Sequence, residues 1–558
     1  MDHKKIFFIS SESNLKEIRF FDGYAFSNVD LIVGNKGFSD FCKDGKQLNG
    51  YEDGNYVLFE QLSDTLYKLS RDYHGYYPLF YYKSEDYWCI SNSIIYIAEC
   101  LKSKDIAFSY DESNIEIWKS ELALALQLSS HNTFIREIKV LPVNRDIIIF
   151  KSTDENKIAL NKRGKNELIE DNYDDALREC LKIWGSRYLT ILSNENIALH
   201  QDLTGGLDSR SIFSFIVKDM GLIADSLKTG RLKINSEPAK TKDFEIAQRL
   251  LNLFDIDVNS RINKKYMVDK VSSEEAYATW KYFNVGRYSP IIFPIYNFNP
   301  SVIELGGEGG EDNRNFYGKQ PDGSFEEFHT YINKYKHYFS TEERYAQWLG
   351  QVKESLSVLK EDSELDPSIL HYKEFRSNAH TSKNPKSRFK FGVLGSKYFD
   401  SISQLSSVEK TKTGQVLYDL IYSNCNRLLY IPFDEEKKGM SDENISKLTS
   451  IDNSFSLRSG KIYSDNHQST SEYLVDIPVG SDLASNPLQI LSDKAFKSLE
   501  TNKDSIEYFF GKSYVDKYYK KFQEIDFDKQ KGNLHTKGVF LHALILIDTI
   551  SEIQSGKK

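Results

Sequence analysis

Between residues 196 and 221 the hydrophobic pattern changes period. Ile197, Leu199 and Leu203 alternate with other residues, which predicts a strand. From Ser209 onward Ile212, Phe215, Ile216 and Met220 recur at helical spacing, with Gly221 as the expected stop. A strand therefore runs into a helix, and the corner reads Thr204-Gly205-Gly206-Leu207-Asp208-Ser209. The same switching of periods marks the surrounding chain. Residues 173–192 form an amphipathic helical run, and Phe244, Ala247, Leu250, Leu251 and Phe254 share one helical side. "DIDVN" (255–259) reads as a short strand, Ser272 and Glu275 fit a capping box, and "SVIELGG" (301–307) reads as another strand. Alternating units of this kind predict a parallel sheet with helices on both faces and ligands at the carboxyl ends of its strands.

Before this region the pattern is different. Residues 1–150 are rich in strand-like runs such as "NYVLFEQLSDTLYKLSRD" and "PLFYYKSEDYWCISNS", broken by short polar turns. Residues 151–172 are polar and charged, as expected of a linker with room for one short strand. The fold class that follows is α/β, with domains at 1–150 and 173–558; beyond about residue 320 the pattern turns mainly helical. The apolar run 539–550 contains His542 and Asp548 and is too short to span a bilayer, so it reads as a buried terminal helix.

Composition narrows the classes. A chain of 558 residues with 40% hydrophobic residues, 35 Tyr and 35 Phe can bury a large core. A net charge of −9 argues against nucleic-acid binding as the main task. Five scattered cysteines with no C-x-x-C give no zinc or iron–sulfur signature and suit a reducing cytoplasm. The first residues offer no secretory signal.

Two glycine-rich loops carry the chemistry. At the strand-to-helix corner, the helix start presents unpaired N–H groups and a positive dipole end, both suited to an anion. Gly205 and Gly206 allow close approach and positive φ, and the Thr204 and Ser209 hydroxyls can donate to phosphate oxygens. Asp208 beside an anion calls for a bridging cation, and Mg²⁺ is commonly held by one or two carboxylates together with phosphates. The lysine of G-x-x-x-x-G-K is missing, which excludes the common nucleotide loop. The second loop, "ELGGEGGEDNRNFYG" (304–318), crowds Glu308, Glu311 and Asp312 after a strand, and a Mg²⁺–pyrophosphate complex would relieve their repulsion.

The first loop looks like S-G-G-x-D-S of enzymes that split ATP between the α and β phosphates, with Thr204 in place of Ser. Both loops together resemble the asparagine synthetase family, whose second loop reads S-G-E-G-x-D-E. Gly307, Glu308 and Gly309 keep that pattern, while Glu311 and Asp312 swap the order of its Asp and Glu. "LKTGRLKINSEPAKTKDFEIAQRL" is similar to the family's adenine-side segment, with Thr229 and Gly230 meeting the base and Asp243 opening a helix. "LSRDYHGYYPLFYY", "ISNSIIYIAE" and "FIREIKVLPVNRDIIIF" look like segments of its glutaminase domain. That family's nucleophilic Cys directly follows Met1; here the residue is Asp2, so the resemblance carries over a fold and not glutamine hydrolysis. β-Lactam synthetases and lasso-peptide cyclases lack that Cys too.

The resemblance implies an N-terminal Ntn-hydrolase-like αββα sandwich, then a doubly wound parallel-sheet synthetase domain like the adenine-nucleotide α-hydrolases, with helical additions. It implies an ATP- and Mg²⁺-dependent amide ligase that adenylates a small-molecule, saccharide or peptide carboxylate and passes it to an amine or ammonia. Leu203, Thr204, Gly205, Gly206, Asp208, Ser209, Thr229, Gly230 and Gly307 would contact ATP or pyrophosphate, Asp208 and Glu311 would hold Mg²⁺, and Glu308 would assist the amine. A catalytic cation is expected, and the basic stretch 380–392 is one place to seek it. Surface-polysaccharide and secondary-metabolite pathways use such bacterial enzymes. A cytoplasmic protein with no membrane insertion and no nucleic-acid partner is expected, with room for a homodimer. The rivals are an ammonia-fed asparagine synthetase, a tRNA-modifying ATP pyrophosphatase and a non-catalytic nucleotide-binding descendant.

Overall fold

The computed structural model describes residues 5–556 apart from 16, 153–154, 164–168, 260, 314–316, 318–324, 364, 383–387, 408–409, 411–412, 453, 465–470, 481–485, 524–532 and 535–537. It is a mixed α/β structure with both antiparallel and parallel sheets.

Alternation builds the N-terminal half. In the strand Arg19–Ser27 Phe20 faces one way and Phe21 the other, and in Asp53–Ser63 Val57 and Phe59 oppose Tyr56 and Leu58. Phe20, Val57 and Phe59 meet Phe7, Ile9, Trp88 and Ile90 in a core between two sheets. Phe21, Tyr56 and Leu58 turn outward, under the helix Gly34–Lys43. Ile6 and Cys89 face the outer side of the other sheet, under the helix Ile94–Ser103. The layers are therefore helix, sheet, sheet, helix.

The inner five-stranded sheet runs in the order Leu474–Asp476, Lys5–Ser10, Trp88–Ser91, Phe80–Lys83, Lys139–Val140. The seven-stranded sheet runs from Asn156–Lys162 through Arg145–Lys151, Leu66–Arg71, Asp53–Ser63, Arg19–Ser27 and Asp30–Val33 to Ile462–Tyr463. Two sets of strand pairings cross the linear division at residue 150. The expected linker supplies a seven-residue strand, Asn156–Lys162, paired along its full length with Arg145–Lys151. The far C-terminal region also lends one strand to each sheet. A boundary at residue 150 would cut through the last hairpin.

The second half contains a four-stranded parallel sheet ordered Leu232–Asn235, Ala198–Asp202, Asn299–Gly306, Arg388–Gly392. The chain leaves Ala198–Asp202 to one side and returns on the other, so a crevice opens where the strand order reverses. The helix Tyr173–Leu192 keeps its expected limits, and Ser272 and Glu275 form the capping box. Other readings change. The helix after the first loop ends at Val217, and Asp219 caps a new helix, Met220–Lys228, which contains Gly221. Residues 255–259 are not a strand: Asp255 and Asn259 take φ of +55° and +53°, outside extended geometry. The strand on that edge is the earlier Leu232–Asn235. The basic stretch 380–392 ends in the strand Arg388–Gly392, with Phe389 and Phe391 buried. Every residue from Val539 to Ile550 is buried within the helix Val539–Ser555. No helix among the described residues is long and apolar enough to cross a membrane.

Candidate active site

The strands Ala198–Asp202 and Asn299–Gly306 lie side by side and parallel, so their carboxyl ends release the two glycine-rich loops next to each other. Between the loops lies a cleft of about 440 Å³. Thr204, Gly206, Asp208 and Ser209 line one wall, and Gly307, Glu308 and Glu311 line the next.

The first loop is braced by its own side chains. The Thr204 and Ser209 hydroxyls share a 2.9 Å hydrogen bond, Ser209 Oγ accepts from the Thr204 N–H at 3.1 Å, and Thr204 Oγ1 accepts from the Gly206 N–H at 3.1 Å. Asp243, in the first turn of Thr241–Asn252, accepts from the Gly205 N–H at 3.0 Å. Gly206 caps the helix Leu207–Val217 with φ −76°, and Gly205 is not in the positive-φ region either. The expectation of positive φ is thus corrected: space, not backbone sign, demands glycine. A Cβ on Gly205 would lie 2.9 Å from Ile246 Cδ1 and 3.1 Å from both Asp243 Oδ1 and Asp434 Cβ.

The two loops interlock around Asp208. A Cβ on Gly307 would lie 2.9 Å from Asp208 Cβ, and one on Gly310 would lie 2.5 Å from Asp208 Cγ and Oδ1. Gly309 takes φ +93° and packs against the Gly395 backbone. Glu311 follows in a single 3₁₀ turn, Gly310–Asn313, and reaches the same cleft as Asp208. The side chain of Asp312 lies outside the described residues.

Glu308 has a cationic neighbour that the linear order hides. Lys390, on the edge strand Arg388–Gly392, pairs with Glu308 and lies 3.1 Å from Glu304. Burial opposes the charge on Lys390, but Glu308 and Glu304 outweigh it and push its pKa up. Tyr24, from the N-terminal sandwich, donates its hydroxyl to the Lys390 carbonyl at 2.7 Å and accepts from the Lys390 N–H at 2.9 Å. The expected basic stretch therefore supplies one cation behind Glu308; Lys383 and Lys386 lie outside the described residues.

The opposite wall comes from segments with no glycine signature. The helical run Pro367–His371 passes through a π-helical stretch, Tyr372–Ser377, into Asn378–Thr381, and Tyr372, Arg376 and His380 line the cleft. Such turns recur at functional sites. Arg376 Nη1 donates to Gln127 Oε1 at 3.3 Å, and His380 Nδ1 lies 2.8 Å from the Tyr288 hydroxyl. Behind them, Asn378 Nδ2 donates to the Gly75 carbonyl at 2.6 Å, so the N-terminal half supports this wall.

A last segment closes the site. Buried Arg210 donates to the carbonyls of Leu428, Ile431 and Pro432 at 3.0, 2.7 and 2.7 Å and lies over the Phe433 ring. Burial pulls its guanidinium down to about 9. This clamp brings the Asp434 N–H to the Gly205 carbonyl at 3.1 Å. Lys438 and Asp434 both line the cleft, 2.9 Å apart. Burial works against the Lys438 charge, but its bonds to Glu435 and Asp434 prevail and raise its pKa.

Four expected contacts do not line the cleft: Gly205, whose N–H and carbonyl are taken by Asp243 and Asp434, and Leu203, Thr229 and Gly230. Leu203 is fully buried, and its N–H bonds the Asn235 carbonyl, so it backs the loop from the core. Thr229 and Gly230 precede the strand Leu232–Asn235, which places them at the amino end of the parallel sheet, away from the loops. There Thr229 Oγ1 donates to the Asp225 carbonyl and accepts from Arg231 Nε, and Gly230 takes φ +66° to turn from helix to strand. Asp2 lies outside the described residues. A scan against protein-family models finds no match for this chain, and neither does a search of curated proteins.

Among the described residues no group of three or more His, Cys, Asp or Glu side chains could hold a metal by itself. Two acids, Asp208 and Glu311, are nonetheless a suitable protein share for Mg²⁺, which takes its remaining ligands from phosphates and water.

Proposed function

We propose that this chain is an ATP-dependent amide-forming ligase of the asparagine synthetase kind, releasing AMP and pyrophosphate. The observation that carries the reading is the interlocking of the two loops: Asp208 is packed beneath Gly307 and Gly310, with Glu308 and Glu311 across the same cleft. Nothing in either loop alone requires that meeting. The N-terminal helix–sheet–sheet–helix layering is read as an Ntn-hydrolase-like sandwich kept as a scaffold, and the parallel sheet as the adenine-nucleotide α-hydrolase type.

In this reading the Thr204 and Ser209 hydroxyls and the start of Leu207–Val217 receive the departing pyrophosphate. Asp208 and Glu311 would hold Mg²⁺, which offsets charge on the phosphates. A substrate carboxylate attacks the α-phosphorus, giving an acyl-adenylate; an amine or ammonia then attacks the acyl carbon, and AMP leaves. Glu308, kept in place by Lys390, takes a proton from the amine. Lys438 and Arg376 face the acidic wall and supply positive charge for the carboxylate and for the second tetrahedral state. The substrate classes are a small-molecule, saccharide or peptide carboxylate and an amine.

The test is exchange of labelled pyrophosphate into ATP, with Mg²⁺ and a pool of carboxylic acids. Exchange that disappears in Asp208→Ala supports the reading. Exchange that persists in Asp208→Ala refutes the assignment of this cleft.

A further inference from the structure

A second cleft, of about 750 Å³, lies among the helices Ile94–Ser103, Ser273–Asn284, Pro487–Thr501 and Val539–Ser555. Cys100 stands half-buried on its wall. Directly beneath, the strand Trp88–Ser91 carries Cys89, which has no solvent exposure. The Tyr87 hydroxyl lies 3.0 Å from Cys100 Sγ, and Cys100 packs against the core that holds Cys89, near enough for the two thiols to influence each other's charge. A hydroxyl and a second thiol, from neighbouring positions of the chain, thus flank one sulfur at the edge of an open cleft.

The surrounding charges are of both signs. Lys104 favours a thiolate at Cys100 and Glu12 opposes it, and these two form a 2.6 Å pair. On its own helix Cys100 is flanked by Tyr96 and by Glu99, which accepts from Tyr282 at 2.8 Å. Lys281 and Glu552 line the same cleft from the other helices. Burial raises the Tyr87 phenol, and the bond to Cys100 followed by burial raises the Cys89 thiol, so both stay protonated and able to donate. Interaction with Cys89 pulls the Cys100 thiol below its ordinary range, burial opposes it, and Tyr87 and Lys104 assist. Thiolate character with access is what makes a cysteine reactive.

We propose that Cys100 is a thiol reactive toward hydroperoxides and that Cys89 resolves it to an intramolecular disulfide. The Cys100 thiolate attacks one peroxide oxygen. The O–O bond breaks, the sulfur becomes a sulfenic acid, and the departing hydroxide takes up a proton to leave as water. The Cys89 sulfur then attacks the sulfenic sulfur; an S–S bond forms, the S–O bond breaks, and the hydroxyl leaves as water with the Cys89 proton. Two thiols lose two electrons, and hydrogen peroxide becomes two waters. The order follows from access, since peroxide reaches the cleft wall before the buried strand. This site is independent of the nucleotide cleft.

The test uses the full chain, reduced, freed of reductant, exposed to one equivalent of hydrogen peroxide and quenched with iodoacetamide. Intact mass and peptide mapping should show loss of two hydrogens and a Cys89–Cys100 link, reversed by dithiothreitol and lost in Cys100→Ser. Cys89→Ala should stop at a sulfenic acid that a cyclic diketone traps. Before oxidation, Cys100 should alkylate at pH 7 about tenfold or more faster than Cys42 or Cys425, which burial raises. Both thiols still alkylatable after peroxide, or Cys100 oxidised further while Cys89 remains free, would overturn the proposal.

Discussion

Replacing Gly310 with Ala should disable the cleft without unfolding the protein. The added methyl would lie 2.5 Å from Asp208 Cγ and Oδ1. Non-bonded carbons rest at about 3.5–4.0 Å, so the overlap is roughly 1 Å. The loop cannot easily retreat, because the neighbouring Gly309 is locked at φ +93° against the Gly395 backbone. The Asp208 carboxylate must therefore move, by about the overlap. Overpacking of this kind costs about 1–3 kcal/mol of stability. A displacement near 1 Å in a positioned group can cost about a hundredfold in function. We expect Mg²⁺-dependent ATP affinity, read by isothermal titration calorimetry, to fall about tenfold to a hundredfold, or ~1.4–2.8 kcal/mol. Gly350→Ala is the control, since its Cβ would meet nothing within 4 Å in the helix Glu342–Lys360. Folded Gly310→Ala protein that binds Mg²⁺·ATP within twofold of the wild type, while Asp208→Ala does not, would refute the packing account.

Three further outcomes are expected. Glu308→Gln should leave ATP affinity near the wild-type value and slow amide formation by about two to four powers of ten; equal losses in both would place Glu308 in nucleotide binding instead. Lys390→Met should strand Glu304 and Glu308 without their cation and cost about 2–3 kcal/mol in urea denaturation, discounted for partial exposure; an unchanged midpoint would deny the pairing. His542 is buried, Nε2 accepting from the Gly286 N–H at 3.1 Å and Nδ1 facing the Ser289 carbonyl at 3.1 Å, so it must stay neutral when folded. Burial pulls it down to about 3 from 6.5, so the unfolded chain binds the extra proton, and its contribution is present above pH 6.5 and lost as pH falls toward 3. The stability gap between wild type and His542→Gln should accordingly shrink by about 1.4 kcal/mol per pH unit from pH 6 to 4.5; a gap that widens on acidification would contradict this.

The loops themselves were legible in the chain because glycine and acid spacing is local. Thr204, Asp208, Ser209, Glu308 and Glu311 need only a strand, a turn and a helix start to be placed. What the local pattern hid was of two kinds. The strand Leu232–Asn235 has four residues, two of them polar, so its period is too short to register, and nothing local shows that Thr229 and Gly230 precede its start. Residues 255–259 carry alternation without extended geometry, since Asp255 and Asn259 turn left-handed. The opposite wall is hidden for a different reason. Arg376, Asp434 and Lys438 come to the cleft that Asp208 lines from more than 160 residues away in sequence, held there by the Arg210 clamp and the Asn378–Gly75 bond. A charge run such as "DEEKK" carries no mark that one of its lysines faces a cleft. Swapping of strands between distant segments likewise blurs the boundary at residue 150.

Cleavage of ATP between its α and β phosphates, as proposed for this cleft, leaves a direct chemical record. Phosphorus NMR of Mg²⁺·ATP turned over with a panel of carboxylic acids, and with hydroxylamine as the trapping amine, tests it most directly. The account predicts AMP and pyrophosphate in equal amounts with a hydroxamate, no release of glutamate when glutamine is the nitrogen source, and no turnover in Asp208→Ala. ADP and phosphate as the products, or AMP formation that survives Asp208→Ala, would contradict it.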